Sequence, residues 1–144
     1  MYFSIRPLTI SDLPAALDLW ARTEDVGLNE SDTPDRLAVY LNRNPGQSLA
    51  AIDSAGTLLG AILSGNDGRR GYLHHLAVDK PFRRHGIGRQ LVRRCLLSLG
   101  DLGILKCNIF VYASNADGQK FWSAMGWKSR ADLRLMQIAI PTAP

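Results

Sequence analysis

Between Arg83 and Arg89 the chain reads RRHGIGR: two glycines one residue apart among three arginines and a histidine. Arginines this close repel one another, and glycine weakens any regular element it enters. The combination suits one kind of chemistry. Bare backbone at Gly86 and Gly88 lets a ligand reach amide N–H groups with no Cβ in the way, while Arg83, Arg84 and Arg89 add positive charge. An apolar periodic run follows, so the turn opens a helix, whose start presents unpaired N–H groups and about half a positive charge. Phosphate or pyrophosphate is the expected ligand. A P-loop is excluded, because Arg89 and Gln90 follow Gly88 where Lys and Ser or Thr are needed. The dinucleotide fingerprint also fails, with Leu91 at its third glycine position.

The elements that must hold this turn can be read from periodicity. YFSIRP predicts a first strand, its side chains alternating. SDLPAALDLWART predicts a helix with Thr9 or Ser11 as cap and Leu13, Leu17 and Trp20 on one face. TPDRLAVYLNRN predicts a second, capped by Thr33, with Pro34 in its first turn and Leu37, Val39, Tyr40 and Leu41 apolar. SLAAID and TLLGAILSG flank the turn SAG as a hairpin, and NDGRRG turns the chain into the strand YLHHLAVD. A helix is expected from about residue 86 to 99, with Ile87, Leu91, Val92, Cys95, Leu96 and Leu99 inward. Then come a strand ILKCNIFVY, a short helix in NADGQKFWSAMGW and a last strand RLMQIAI. The order is α/β (α+β): a mixed sheet with a helix crossing between two of its strands. No repeat or linker divides the chain, so a single domain over residues 1–144 is expected.

Composition narrows the class. Of 144 residues, 46% are apolar and 21% charged, as in globular proteins. No apolar stretch nears the ~18 residues of a membrane span, and the N-terminus lacks a charged region followed by an apolar run, so neither membrane nor signal peptide is expected. Cys95 and Cys107 form neither a disulfide framework nor a metal-ligand set; buried thiols in a reducing cytoplasm are expected. Net charge is +4, unevenly spread. Residues 24–35 hold five acids and no base, residues 80–94 six bases and no acid, which implies two sites of opposite character. No aromatics interleave the basic cluster, so specific nucleic-acid binding is the weaker reading. Trp20 and Trp127 fall on apolar faces and are expected in the core.

The stretch LAVDKPFRRHGIGRQLV resembles the acetyl-coenzyme-A-binding segment of the GNAT superfamily of N-acetyltransferases: a strand, a short turn, Arg, two variable residues, Gly, any residue, Gly. NIFVYASNADGQKFWSAMGW is similar to that family's next strand, its Asn-containing turn and its short helix. The resemblance implies a mostly antiparallel mixed sheet flanked by helices, with central parallel strands splayed around the pantetheine arm. It places the backbone of Leu76, Ala77 and Val78 on the pantetheine and thioester, where an N–H would stabilise a tetrahedral intermediate. Arg83, Arg84, His85, Gly86, Ile87, Gly88 and Arg89 would surround the pyrophosphate, Asn115 would lie near the pantetheine, and Phe121 and Trp122 would line its thiol end. The implied reaction is direct acetyl transfer from acetyl-CoA to a primary amine in a ternary complex, without a metal.

The resemblance breaks at the proton-handling residues. The family's acid tyrosine matches Trp122, whose indole cannot give up a proton usefully. Its base glutamates match Tyr72 or Phe110. Strand alternation offers substitutes: Tyr72, His74, Leu76 and Val78 would share one face and Leu73, His75 and Ala77 the other. His74, on the face of the family's base and with an ordinary pKa near ~6.5, is the candidate base, and Tyr112 the candidate acid. The acidic run would rim the acceptor side and favour a cationic amine: a small molecule, a lysine or a protein N-terminus. A catalytically weak CoA-binding regulatory module and a basic nucleic-acid-binding domain are the alternatives. Pairing into a homodimer is left open.

Overall fold

The computed structural model describes residues 1–143. The chain forms two compact units, residues 1–112 and 113–144.

In the first unit, β1 (Ser4–Pro7), β2 (Leu49–Ile52), β3 (Leu58–Asn66), β4 (Gly71–Val78) and β5 (Cys107–Ile109) form one sheet in the order β1-β2-β3-β4-β5. The first three pairings are antiparallel and β4–β5 is parallel. The hairpin turns fall where Gly and Asx residues were read. Asp53 Oδ1 accepts the N–H groups of Ala55 and Thr57, and Asp67 Oδ1 those of Arg69 and Arg70.

Helices α1 (Leu13–Ala21) and α2 (Pro34–Arg43) cover one face of the sheet. A one-turn helix over Ile10–Asp12 leads into α1, fixed by Asp12, whose carboxylate accepts the Thr9 N–H at 2.8 Å and pairs with Arg6 at 2.7 Å. Thr33 caps α2 as expected, accepting the Arg36 N–H at 3.3 Å, with Pro34 as first helical residue. Leu13, Ala16, Leu19, Trp20, Leu37 and Leu41 close on Ala50, Ala61, Leu63 and Ala77 as the core of this face. Each leucine buried there contributes about 1.5–3 kcal/mol. Helix α3 (Ile87–Asp101) packs against β2, β3 and β4 and buries Ile87, Leu91, Val92, Cys95 and Leu99, the expected stripe apart from Leu96.

The second unit holds α4 (Ala116–Ala124), capped by Asn115, whose Oδ1 accepts the Gly118 N–H at 2.9 Å. Trp122 meets Phe121 and Trp127 edge to face, with centroids 5.2 and 5.1 Å away. Trp127 is thus half-buried against a neighbouring indole. The expected last strand does not form. Residues 134–140 pair with no strand among the described residues, and Met136, Ile138 and Ile140 are more than four-fifths exposed. A β-prone run becomes a strand only where a neighbour supplies the ladder.

Candidate active site

The anion turn is built as its residues require. Gly86 is left-handed (φ 79°) immediately before α3, and an added Cβ would meet nothing within 4 Å. The first helical bond runs from Gln90 N–H to Gly86 O at 3.0 Å, which leaves the amides of Ile87, Gly88 and Arg89 as the unpaired donors of the helix start. Arg84 is also left-handed (φ 67°). Arg84, His85 and Arg89 are exposed, and none makes an ion pair among the described residues. Arg83 is tied down instead: its Nε donates to Val78 O at 2.8 Å and its Nη1 meets Glu24 at 2.6 Å, binding the turn to the end of β4.

Beyond this turn lies an open sheet edge. The parallel ladder covers only Gly71↔Cys107, Tyr72↔Asn108 and Leu73↔Ile109. From His74 to Val78 no described strand pairs with the outer edge of β4, while β3 holds its inner edge. Leu76, Ala77 and Val78 lie on this free stretch. Val78 O is already taken by Arg83 Nε, and the outward backbone groups that remain offer an extended, amide-bearing arm a strand edge that leads towards the glycine turn. The chemistry of these residues fits a CoA compound.

The expected alternation along β4 is overturned. Ala61 pairs with Ala77 but Leu63 pairs with His74, so His75 and Leu76 together oppose Ile62 as a β-bulge. His75 is left-handed (φ 56°), which costs about 1–3 kcal/mol for a residue with a side chain. The extra residue restores Ala77 to the side of His74, and both imidazoles reach the α1–α2 face, 6.4 Å apart. His75 Nε2 bonds Asp32 Oδ1 at 2.9 Å, with both side chains about nine-tenths buried, and its ring lies 5.4 Å from Trp20. Asp32 also accepts the Asn29 N–H at 3.0 Å. Sequence reasoning missed this pair, because neither a glycine nor a turn residue marks the bulge.

His74 stands among rings. Tyr72 and Phe110 lie nearly parallel to it with centroids at 6.3 and 6.0 Å, and Tyr40 meets it edge-on at 6.3 Å. Burial pushes its pKa below the ordinary 6.5 and the neighbouring His75 pushes the same way, against a smaller opposite pull from Asp32, so the imidazole is neutral at pH 7. Tyr112 lies past the end of β5, about half exposed, with its ring over the bare Cα of Gly27. The acidic run is partly consumed: Glu24 pairs with Arg83 and Asp32 with His75, which leaves Asp25, Glu30 and Asp35 outside ion pairs among the described residues. Asn115, Phe121 and Trp122 belong to the second unit, described above.

Solved structures share this fold, a sheet opened beside a parallel pair. Ard1 from Thermoplasma volcanium superposes with a TM-score of 0.80 at 20% identity, covering 91% of this chain and 86% of that one. The PaiA N-acetyltransferase from Thermoplasma acidophilum, in complex with coenzyme A, gives 0.78 at 22% identity over 90% and 92%. The sequence adds the family. The family model described as "Acetyltransferase (GNAT) family" matches residues 13–127, and the chain belongs to that family. It is similar to Acetyltransferase SG1711 of Sodalis glossinidius, 32% identical over 111 residues and 77% of each chain. Acetyltransferase ECA0875 of Pectobacterium atrosepticum is 31% identical over the same shares. No helix among the described residues is long and apolar enough to cross a membrane.

Proposed function

We propose that the protein is an acetyl-CoA-dependent N-acetyltransferase acting on a primary amine by direct attack in a ternary complex. One observation carries this reading: the free edge of β4 from His74 to Val78, ending at the glycine turn whose helix-start amides are unpaired. Leu76, Ala77 and Val78 would hold the pantetheine amides and thioester carbonyl. The amides from Arg84 to Arg89, with the Arg84 and Arg89 guanidiniums, would hold the pyrophosphate. The family resemblance assigns Asn115, Phe121 and Trp122 to the pantetheine end. The family match spans residues 13–127 and so crosses the boundary between the two units, which supports one acetyltransferase domain over 1–144.

Bound acetyl-CoA supplies an activated thioester carbonyl. The chain's residues supply proton transfer and orientation. An amine is mostly protonated at neutral pH, so His74 removes its proton. The neutral amine nitrogen then bonds to the carbonyl carbon, the C–S bond breaks with the sulfur taking the electron pair, and the nitrogen, left cationic by the new bond, releases its second proton to solvent. Tyr112 is the proposed donor to that thiolate, a modest task because a thiolate leaves well. His75 and Asp32 take no proton in this scheme; they anchor the acceptor loop to the bulge. Burial raises the thiols of Cys95 to about 12 and Cys107 to about 11, so both stay protonated, as suits a reducing compartment such as the cytoplasm.

Thermal-shift titration with acetyl-CoA, CoA, NAD and ATP tests the cofactor, and thiol release from acetyl-CoA with an amine panel tests the reaction. A stabilising shift with the CoA compounds alone, together with amine-dependent thiol release, is expected. No shift with acetyl-CoA or CoA would overturn the reading.

A further inference from the structure

Tyr40 and Arg43 stand at i and i+3 in the last turn of α2 and Asn44 is its C-cap, so this face at the end of the helix carries a phenol, a guanidinium and a carboxamide. With Gly65, Tyr72 and His74 across from it, this face lines a cavity of about 180 Å³. That is room for about six waters or a group of that size. Gly65 keeps the space tight around the phenol: a Cβ there would lie 2.6 Å from Tyr40 Oη and 2.7 Å from Asn44 Cγ.

The polar groups around this cavity divide into spent and free. Asn44 is spent, its Nδ2 donating to Tyr40 O at 3.3 Å and its Oδ1 accepting the Asn66 N–H at 3.1 Å. Asp67, the one acid on the rim, accepts the N–H groups of Arg69 and Arg70 at 2.8 and 2.7 Å. The Tyr40 hydroxyl is buried with no hydrogen-bond partner among the described residues. Arg43 is exposed at the rim and makes no ion pair among them. What the cavity offers a ligand is thus the exposed Arg43 guanidinium, with the enclosed Tyr40 hydroxyl behind it available once the ring swings off Gly65. A buried donor left unmade is costly, and a guanidinium beside a hydroxyl suits a carboxylate. His74 lines the same cavity and is the first β4 residue beyond the parallel ladder.

Building on the acetyltransferase reading, we propose that the acceptor is a small primary amine carrying a carboxylate. Tyr40 and Arg43 hold that carboxylate in this cavity, and the amine is presented to His74. Tyr40 and Arg43 are then specificity determinants, and the acceptor enters as a zwitterion rather than as a polycation.

Matched acceptors that differ only in the carboxylate test this: phenylalanine against 2-phenylethylamine, and ornithine against putrescine. 2-Aminoethyl phosphate against ethanolamine tests whether a phosphate takes the same seat. The readout is kcat/KM from thiol release. The carboxylate member is expected to lead its partner at least tenfold. Arg43→Gln and Tyr40→Phe should each remove most of that lead by raising the KM of the carboxylate member. Equal turnover within the pairs, a lead confined to the phosphate pair, or a lead that survives both substitutions would overturn the proposal. So would no turnover of any of these amines. Acetyl-CoA thermal shifts on the same samples separate the two levels: a shift without turnover sinks the carboxylate seat alone, and no shift sinks the acetyltransferase reading beneath it.

Discussion

Replacing Gly86 by alanine separates what the backbone needs from what the ligand needs. The added Cβ meets nothing within 4 Å, so packing is untouched, but φ 79° is a conformation an alanine resists by about 1–2 kcal/mol. For 144 residues the unfolding entropy is about 0.3 kcal/mol per degree, so Tm should fall by about 3–7 °C. Gly56, in the β2–β3 turn, is the matched control: its φ is 84°, and a Cβ there is equally unobstructed. Gly56→Ala should lower Tm by the same amount. The two variants should part company when acetyl-CoA is added. At about 100 times its Kd the ligand stabilises the native state by about 2.7 kcal/mol, a rise of about 9 °C in wild type and in Gly56→Ala. In Gly86→Ala the methyl stands where the anion approaches. Loss of one or two charge-assisted hydrogen bonds weakens binding about 10–100-fold. At the same concentration the rise shrinks to about 1–5 °C. Differential scanning fluorimetry of the three proteins reads both quantities. An undiminished rise in Gly86→Ala would refute the turn as the phosphate site. Unequal losses of Tm in the two apo variants would refute the view that backbone conformation alone sets the cost.

His74→Gln should lower kcat at pH 7 by at least tenfold with acetyl-CoA affinity intact, and unchanged turnover would remove it as the base. Because burial lowers its pKa, wild-type kcat should stay level from pH 7 downward past 6.5 and fall only below its folded pKa, where the imidazole protonates; a fall beginning above 6.5 would contradict this. Asp12 is held at about 2 by its bond to Arg6, below its ordinary 3.8. A depressed carboxylate contributes stability that is full above the unfolded pKa and lost as pH falls from about 4 towards 2. Asp12→Asn should therefore cost about 1–2 kcal/mol at pH 7 and much less at pH 2.5, as urea melts at the two pH values would show. Asp32→Asn breaks a buried bond to His75 and should cost about 1–3 kcal/mol in the same melts, with acetyl-CoA binding largely retained.

Much of the frame was legible in the residues because local chemistry specifies it. Thr33-Pro34 could only open a helix, and the Asx and Gly residues of the two hairpins set their own turns. The glycines at 86 and 88 announced bare backbone ahead of the stripe from Ile87 to Leu99. What stayed hidden depends on partners distant in the chain. The bulge at His75 inserts one residue into an otherwise regular alternation, and the carboxylate that His75 meets, Asp32, lies 43 positions away. Tyr40 read as one more apolar residue of α2; only the fold shows its hydroxyl buried over Gly65 without a partner. The last strand was over-read for the opposite reason, since RLMQIAI has the composition of a strand and no neighbour among the described residues to make it one.

Position 75 sits under two demands that few residues can meet together. Its left-handed backbone admits glycine, asparagine and aspartate readily and refuses branched side chains. The buried carboxylate of Asp32 asks for a donor that spans from β4 to the acceptor loop. Glycine and asparagine satisfy the first and fall short of the second; lysine or arginine could reach, at the left-handed cost that Arg84 bears elsewhere in the chain. Histidine lies in the overlap. The alphabet available at this site is therefore close to a single letter, and a library randomised there should return histidine from selection for activity far more often than any other residue.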